Sequence, residues 1–243
     1  PLEQGTTLEQ LEDVKLDQQG RIPIFIEVAR RLVDLLSKDR PIAAILTGPM
    51  TLANNLKGRQ MEKMFREGSS ESREIIDFAT RMALKMARTY CDSKVDIIII
   101  AEQQLMDLNQ ENRQKYKEGL TSIWNLVRFY QIHPLLFFLS GKGTEDLRHV
   151  FDLGADGVAI GWAGDLSQVK QLALEYKQCY AGCIPSAVMC GDTQRLRQFV
   201  TTWKEYFSEG SRDGLFLTTT GEIPSLTPPN NIKELLAFTK QQP

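Results

Sequence analysis

The side chains able to do chemistry in this sequence stand directly after short apolar runs. Glu102, Gln103 and Gln104 place one carboxylate and two amides after residues 95–101. Ser140-Gly141-Lys142-Gly143-Thr144 closes another run, and glycine-flanked amides beside a lysine suit an anion. The spacing of a nucleotide-binding P-loop is absent. Gly48-Pro49-Met50-Thr51 imposes a sharp strand-to-helix turn in which Thr51 is placed to cap the following helix. Trp162 offers a flat wall to a planar ligand, and Cys183, Thr219 and Gly221 stand at the ends of two later runs. Glu102 is the leading candidate for a polar contact with substrate, the alternative being an acceptor that caps a loop. Lys142 would neutralise a carboxylate or phosphate, against the alternative of a solvated loop lysine.

The elements that must position these groups follow from the pattern between them. Six runs, at residues 42–47, 95–101, 135–140, 157–162, 178–184 and 214–219, are too short for helices and rich in β-branched and aromatic residues. Amphipathic stretches alternate with them. Ile24, Val28, Leu32 and Leu35 form one helical stripe, Ile75, Ala79, Met82, Ala83, Met86 and Tyr90 a second, and both are expected to cover a sheet. A third helix over about 111–130 carries Tyr116, Leu120, Ile123, Val127 and Tyr130 and stops before Pro134. Asp165 with Gln168 resembles a capping box, Thr193 is placed to cap the helix bearing Leu196 and Val200, and Pro228 and Pro229 set the first turn of the last helix. This relay predicts an α/β fold, a TIM-type (β/α)8 barrel of which about six β/α units are visible, with its chemistry at the carboxyl ends of the strands. Residues 1–20 read as an extended, poorly packed arm and 21–243 as one incomplete barrel domain.

Composition narrows the class of partner. The chain has 243 residues, 42% hydrophobic and 25% charged, with a formal charge of −2, so no electrostatic attraction draws it to nucleic acid or an anionic membrane. No apolar stretch reaches the roughly 20 residues that span a bilayer. No signal peptide opens the chain, which begins at Pro1, and four cysteines are few for a disulfide scaffold; a cytoplasmic location is expected. Cys179, Cys183 and Cys190 fit no common zinc spacing and read as small buried thiols. His133 precedes a strand, at the end of a barrel away from chemistry, and His149 lies on a helix, so neither is a candidate general base.

Taken in order, Gly48-Pro49-Met50-Thr51-Leu52-Ala53, Gly182-Cys183-Ile184-Pro185-Ser186 followed by Gly191-Asp192-Thr193, and Gly221-Glu222-Ile223-Pro224-Ser225-Leu226-Thr227-Pro228-Pro229-Asn230-Asn231-Ile232 resemble the uroporphyrinogen decarboxylase superfamily. The resemblance runs from about Arg21 to the C-terminus. It implies a (β/α)8 barrel and either decarboxylation of porphyrinogen acetate side chains or corrinoid-dependent methyl transfer, with a tetrapyrrole or a corrinoid protein as partner. The site it implies comprises Gly48, Pro49, Thr51, Glu102, Gln104, Ser140, Lys142, Trp162, Cys183, Thr219 and Gly221.

The departures from the family pattern carry equal weight. The decarboxylase aspartate and the arginine-rich substrate loop belong to strands ahead of the matched region, and this chain has no counterpart of them. Where the zinc-dependent methyltransferases have a histidine and two cysteines, this sequence has Phe138, Ser140 and Gly221, so no metal is expected and no catalytic residue is assigned. No cofactor is required by the decarboxylase reading; a corrinoid enters only with methyl transfer. Six strands leave a barrel open, and its edges call for residues ahead of Pro1 or a neighbouring copy of the chain. A catalytically silent binding or partner subunit is the third reading.

Overall fold

The computed structural model describes residues 7–12, 14–58, 60–104, 108–140, 147–161, 166–208 and 214–240. Six strands, β1 (Ala43–Thr47), β2 (Ile97–Gln104), β3 (His133–Ser140), β4 (Gly157–Ile160), β5 (Cys179–Ile184) and β6 (Leu215–Thr219), form one sheet. All neighbours are parallel and the spatial order is the chain order. Such pairing requires a crossover between successive strands, and helices supply it. In order they are α1 (Leu8–Glu12), α2 (Ile22–Leu36), α3 (Pro49–Lys57), α4 (Gln60–Glu67), α5 (Ser70–Asp92), α6 (Gln110–Phe129), α7 (Leu147–Asp152), α8 (Leu166–Tyr176), α9 (Ser186–Met189), α10 (Thr193–Ser208) and α11 (Pro229–Lys240). The fold is the expected α/β architecture, compatible with a TIM-type barrel, and the sheet is not closed: among the described residues β1 pairs with β2 alone and β6 with β5 alone.

Strand parity divides the side chains between two environments. Leu46, Ile98, Ile100, Leu136, Phe138, Val158, Ile160 and Tyr180 turn toward the helices and join the main core with Phe65, Tyr116, Trp124 and Phe151. Each fully buried aliphatic or phenyl side chain there contributes roughly 1.5–3 kcal/mol. Ile99, Phe137, Ala159 and Ala181 turn to the concave side, where Ile97, Leu135, Cys183 and Phe216 pack against them. The rings of Phe137 and Phe216 lie 6.1 Å apart at 19°. Their strands would be about 14 Å apart in a flat sheet, so this contact requires the sheet to curl as a barrel wall does.

Several boundaries and contacts differ from expectation for identifiable reasons. β2 continues past its apolar run to Gln104, which pairs with Ser140, and β3 starts ahead of its run at His133, which pairs with Ile97. The stripe Ile24, Val28, Leu32 and Leu35 does not cover the sheet: these residues are 60%, 46%, 38% and 75% exposed. α2 is apolar on two faces, and the row that packs is Ile26 and Ala29, with Val33 and Leu36 beside them. The opening arm is not extended in its described part. α1 and a 3-10 turn at Leu16–Gln18 lie near α5, to which Glu12 is joined through Arg81 and, by its carbonyl, through Lys85 Nζ at 2.8 Å. The Asp165 capping box falls outside the described residues. Among the described residues, no helix is long and apolar enough to cross a membrane.

Candidate functional site

The parallel order sends every strand's carboxyl end to the same rim. There, after β1, the chain turns at Gly48, whose N–H donates to Ala101 O at 2.9 Å, and Pro49 opens α3. Proline suits that first helical position, where its missing N–H costs no helical bond. The next amides are met by a carboxylate from the neighbouring strand. Glu102 Oε1 accepts from Met50 N at 3.0 Å, and Oε2 from Thr51 N at 2.7 Å and Thr51 Oγ1 at 2.6 Å. Tyr116 in α6 donates its hydroxyl to Oε1 at 2.9 Å. Thr51 Oγ1 also accepts the N–H of Gln103 at 2.7 Å, so one hydroxyl joins α3 to the end of β2.

This arrangement reassigns two residues. Thr51 does not cap α3, because it sits at the third helical position, and Glu102 satisfies the open amides in its place. Glu102 is 0% exposed and lies on the helix-facing side of β2, so in this conformation its carboxylate meets protein donors instead of reaching the concave mouth. Burial pushes this carboxyl above the usual range, while the donors from Thr51, Met50 and Tyr116 pull it back. The same burial and the facing carboxylate lift the Tyr116 phenol well above its ordinary value. Gly48 has a negative φ; it is glycine for lack of room, since a Cβ there would lie 2.2 Å from Glu102 Cδ.

Strand parity singles out Gln103, one of the three polar residues expected after β2 but not part of the site that the family resemblance implies. Gln103, one step on from helix-facing Glu102, shares the concave side with Thr47 and Ala101, and both Gln103 and Thr47 are exposed at the rim. Period-two alternation was the available signal, masked by the apolar continuity of the run before it. Gln104 and Ser140 face each other in the ladder. Lys142 and Trp162 lie outside the described residues.

On the far side of the rim, Cys183 lies half-buried on the concave face, and burial pushes its thiol up to about 11. Cys179 and Cys190 are exposed instead of buried, because one opens β5 at the opposite rim and the other ends the short α9. Thr219 donates to Gly221 O, and Gly221 has open space where a Cβ would go. The closing motif acts through Asn231, which is 0% exposed. Its Nδ2 donates to Met189 O at 2.9 Å and Gly191 O at 2.8 Å, and its Oδ1 accepts from Thr193 Oγ1 at 2.9 Å. Thr193 is therefore not the cap of α10; Asp192 Oδ1 takes that place, accepting from Arg195 N at 2.7 Å.

Among the described residues no three His, Cys, Asp or Glu side chains come together as ligands. Phe138 is 1% exposed within the helix-side core. His133, at the opposite end of β3, pairs with Asp156 at 3.2 Å, and His149 lies on α7.

Comparison with known proteins places this geometry in a family. The family model for uroporphyrinogen decarboxylase matches residues 1–242. A solved methyltransferase from Methanosarcina mazei superposes with a TM-score of 0.75 at 22% identity, covering 95% of this chain and 68% of that one. A 2,3-dimethylmalate lyase, a PEP mutase/isocitrate lyase superfamily member, matches at 13% identity over 89% of this chain and 93% of its own, with a TM-score of 0.33 that carries no weight for the fold. No curated protein matches the sequence.

Proposed function

The chain belongs to the uroporphyrinogen decarboxylase family, and on that premise we propose that its concave mouth receives a tetrapyrrole-related ring and serves decarboxylation of porphyrinogen acetate side chains. The observation that carries this reading is the concave face itself: apolar through Ile99, Phe137, Ala159, Ala181 and Phe216, and rimmed by the hydroxyls and amide of Thr47, Gln103 and Thr218. A face of this kind suits a flat apolar ring whose polar arms reach the rim. In the reaction an acetate arm loses carbon dioxide, the electron pair of the broken bond passes into the ring system, and a proton completes the methyl group. The apolar wall excludes water and disfavours a buried carboxylate relative to neutral carbon dioxide. Ser186 and Thr220, whose hydroxyls stand 3.5 Å apart at the ends of β5 and β6, would orient the arms.

Corrinoid-dependent methyl transfer is the second reading, favoured by the methyltransferase fold match over 95% of the chain. It ranks below the first because Phe138, Ser140 and Gly221 stand where the zinc-dependent members have a histidine and two cysteines. The open edges of β1 and β6 belong to this proposal too: a second copy or additional chain covers them.

Anaerobic incubation with uroporphyrinogen, followed by chromatography of the products, should show rings that have lost carboxylates one by one. Methylcobalamin or a methylated corrinoid protein, losing its methyl group where uroporphyrinogen is unchanged, would give precedence to the second reading. Binding without turnover of either would reduce the protein to a binding subunit.

A further inference from the structure

We propose that Glu102 is a positioning residue: it holds Thr51, whose hydroxyl in turn fixes the main chain at Gln103, and so sets the spacing between the β1 turn and the end of β2 against which the ring must lie. The role rests on the tetrapyrrole reading above. Three observations support it. Glu102 is fully buried and its two oxygens meet four donors, so it cannot shift without breaking all of them. Thr51 Oγ1 donates to Glu102 at 2.6 Å while accepting from Gln103 N at 2.7 Å, which makes a continuous path from the buried carboxylate to an exposed rim residue. Gly48, which a Cβ would drive into Glu102, lies between this latch and Thr47, the last residue of β1.

The same geometry has a consequence for ligand recognition. An open helix N-terminus attracts anions. In α3 the amides of Met50 and Thr51 are already engaged by a carboxylate of the protein. An acidic arm of the ligand must therefore be met by the rim, and the turn acts by shape and by its hold on Gln103.

The test uses uroporphyrin, the stable oxidised ring, as probe, with fluorescence titration for Kd and circular dichroism for Tm. Thr51→Val removes the hydroxyl at nearly constant volume and should raise Kd by about tenfold, the scale of one lost hydrogen bond to a charged group. Thr51→Ser restores the hydroxyl and should return Kd to within about threefold of the original. Glu102→Gln, which keeps the shape but sets an amide N–H₂ against protein donors, should raise Kd as well and carries the test if Thr51→Val fails to fold. Trp124→Phe is the control. It removes the buried bond from Nε1 to Leu153 O, far from the turn, and should lower Tm with Kd unchanged. The proposal is overturned if Thr51→Val and Glu102→Gln bind like the unaltered protein, or if Trp124→Phe weakens binding as much as they do, since the loss would then follow overall stability. An unaltered protein that binds no uroporphyrin refutes the tetrapyrrole reading and, with it, the positioning role.

Discussion

Glu102 and Asn231 are both wholly buried polar side chains that tie a rim loop to a neighbouring element, yet one is a carboxylate and the other an amide. The difference follows from which chain end each one meets. Glu102 faces the start of α3, where backbone N–H groups lack partners, and an acceptor with two oxygens satisfies them. Asn231 faces the carbonyls of Met189 and Gly191, at the end of α9 and just beyond it, and needs a donor, which its Nδ2 supplies twice. Its remaining oxygen takes the hydroxyl of Thr193. Chemical type at a buried latch is thus set by helix polarity, and the two latches are not interchangeable.

The largest expected effect comes from truncating them. Glu102→Ala strands two amides and a phenol in the core and should cost roughly 4 kcal/mol or more in urea unfolding. Asn231→Ala leaves two carbonyls and a hydroxyl that can turn elsewhere, and should cost roughly 2–3 kcal/mol. Equal losses would break the comparison.

Glycine substitution should separate the two sides at smaller scale. Gly48→Ala sets a methyl group against the Glu102 carboxyl and should cost about 2 kcal/mol. Gly221→Ala meets open space and should change stability by no more than about 0.5 kcal/mol, read from the same unfolding curves.

The mildest test reads thiol reactivity on the Asn231 side. With its pKa at about 11, Cys183 has on the order of a thousandth of its thiol ionised at pH 8. Buried Cys91 is lifted to about 11 as well, by burial and by Asp92. Cys190 is exposed in the loop that Asn231 holds. Iodoacetamide at pH 8, followed by mass spectrometry, should mark Cys190 first and spare Cys183 and Cys91, and labelling of Cys183 should rise as pH approaches 11. Loosening the loop with Asn231→Ala should bring Cys183 labelling forward at constant pH.

Much of the architecture was legible in the chain because parallel strands buried on both faces must be continuous apolar runs. The runs at 42–47 and 178–184 anticipate β1 and β5 to within a residue at their starts. The site was less legible. Gly48, Pro49 and Thr51 were recognisable as a turn, but what holds the turn is Glu102, more than fifty positions away, with Tyr116 from a third element. Glu102 also illustrates why adjacency after a strand is an incomplete guide: a single step in parity sends Gln103 to the mouth and Glu102 into the wall. For α2 the spacing was visible, yet two apolar rows compete on one helix, and only packing selected Ile26 and Ala29 over Val28 and Leu32.

Sequence alone therefore determined the alternation of strand and helix, the parallel sheet it implies, and the family, because local periodicity and ordered motifs are properties of the chain itself. Tertiary structure decided which face each polar group serves. Burial, strand parity and helix polarity arise only when distant segments meet, and they turn Glu102 and Asn231 into latches and leave Thr47 and Gln103 at the rim.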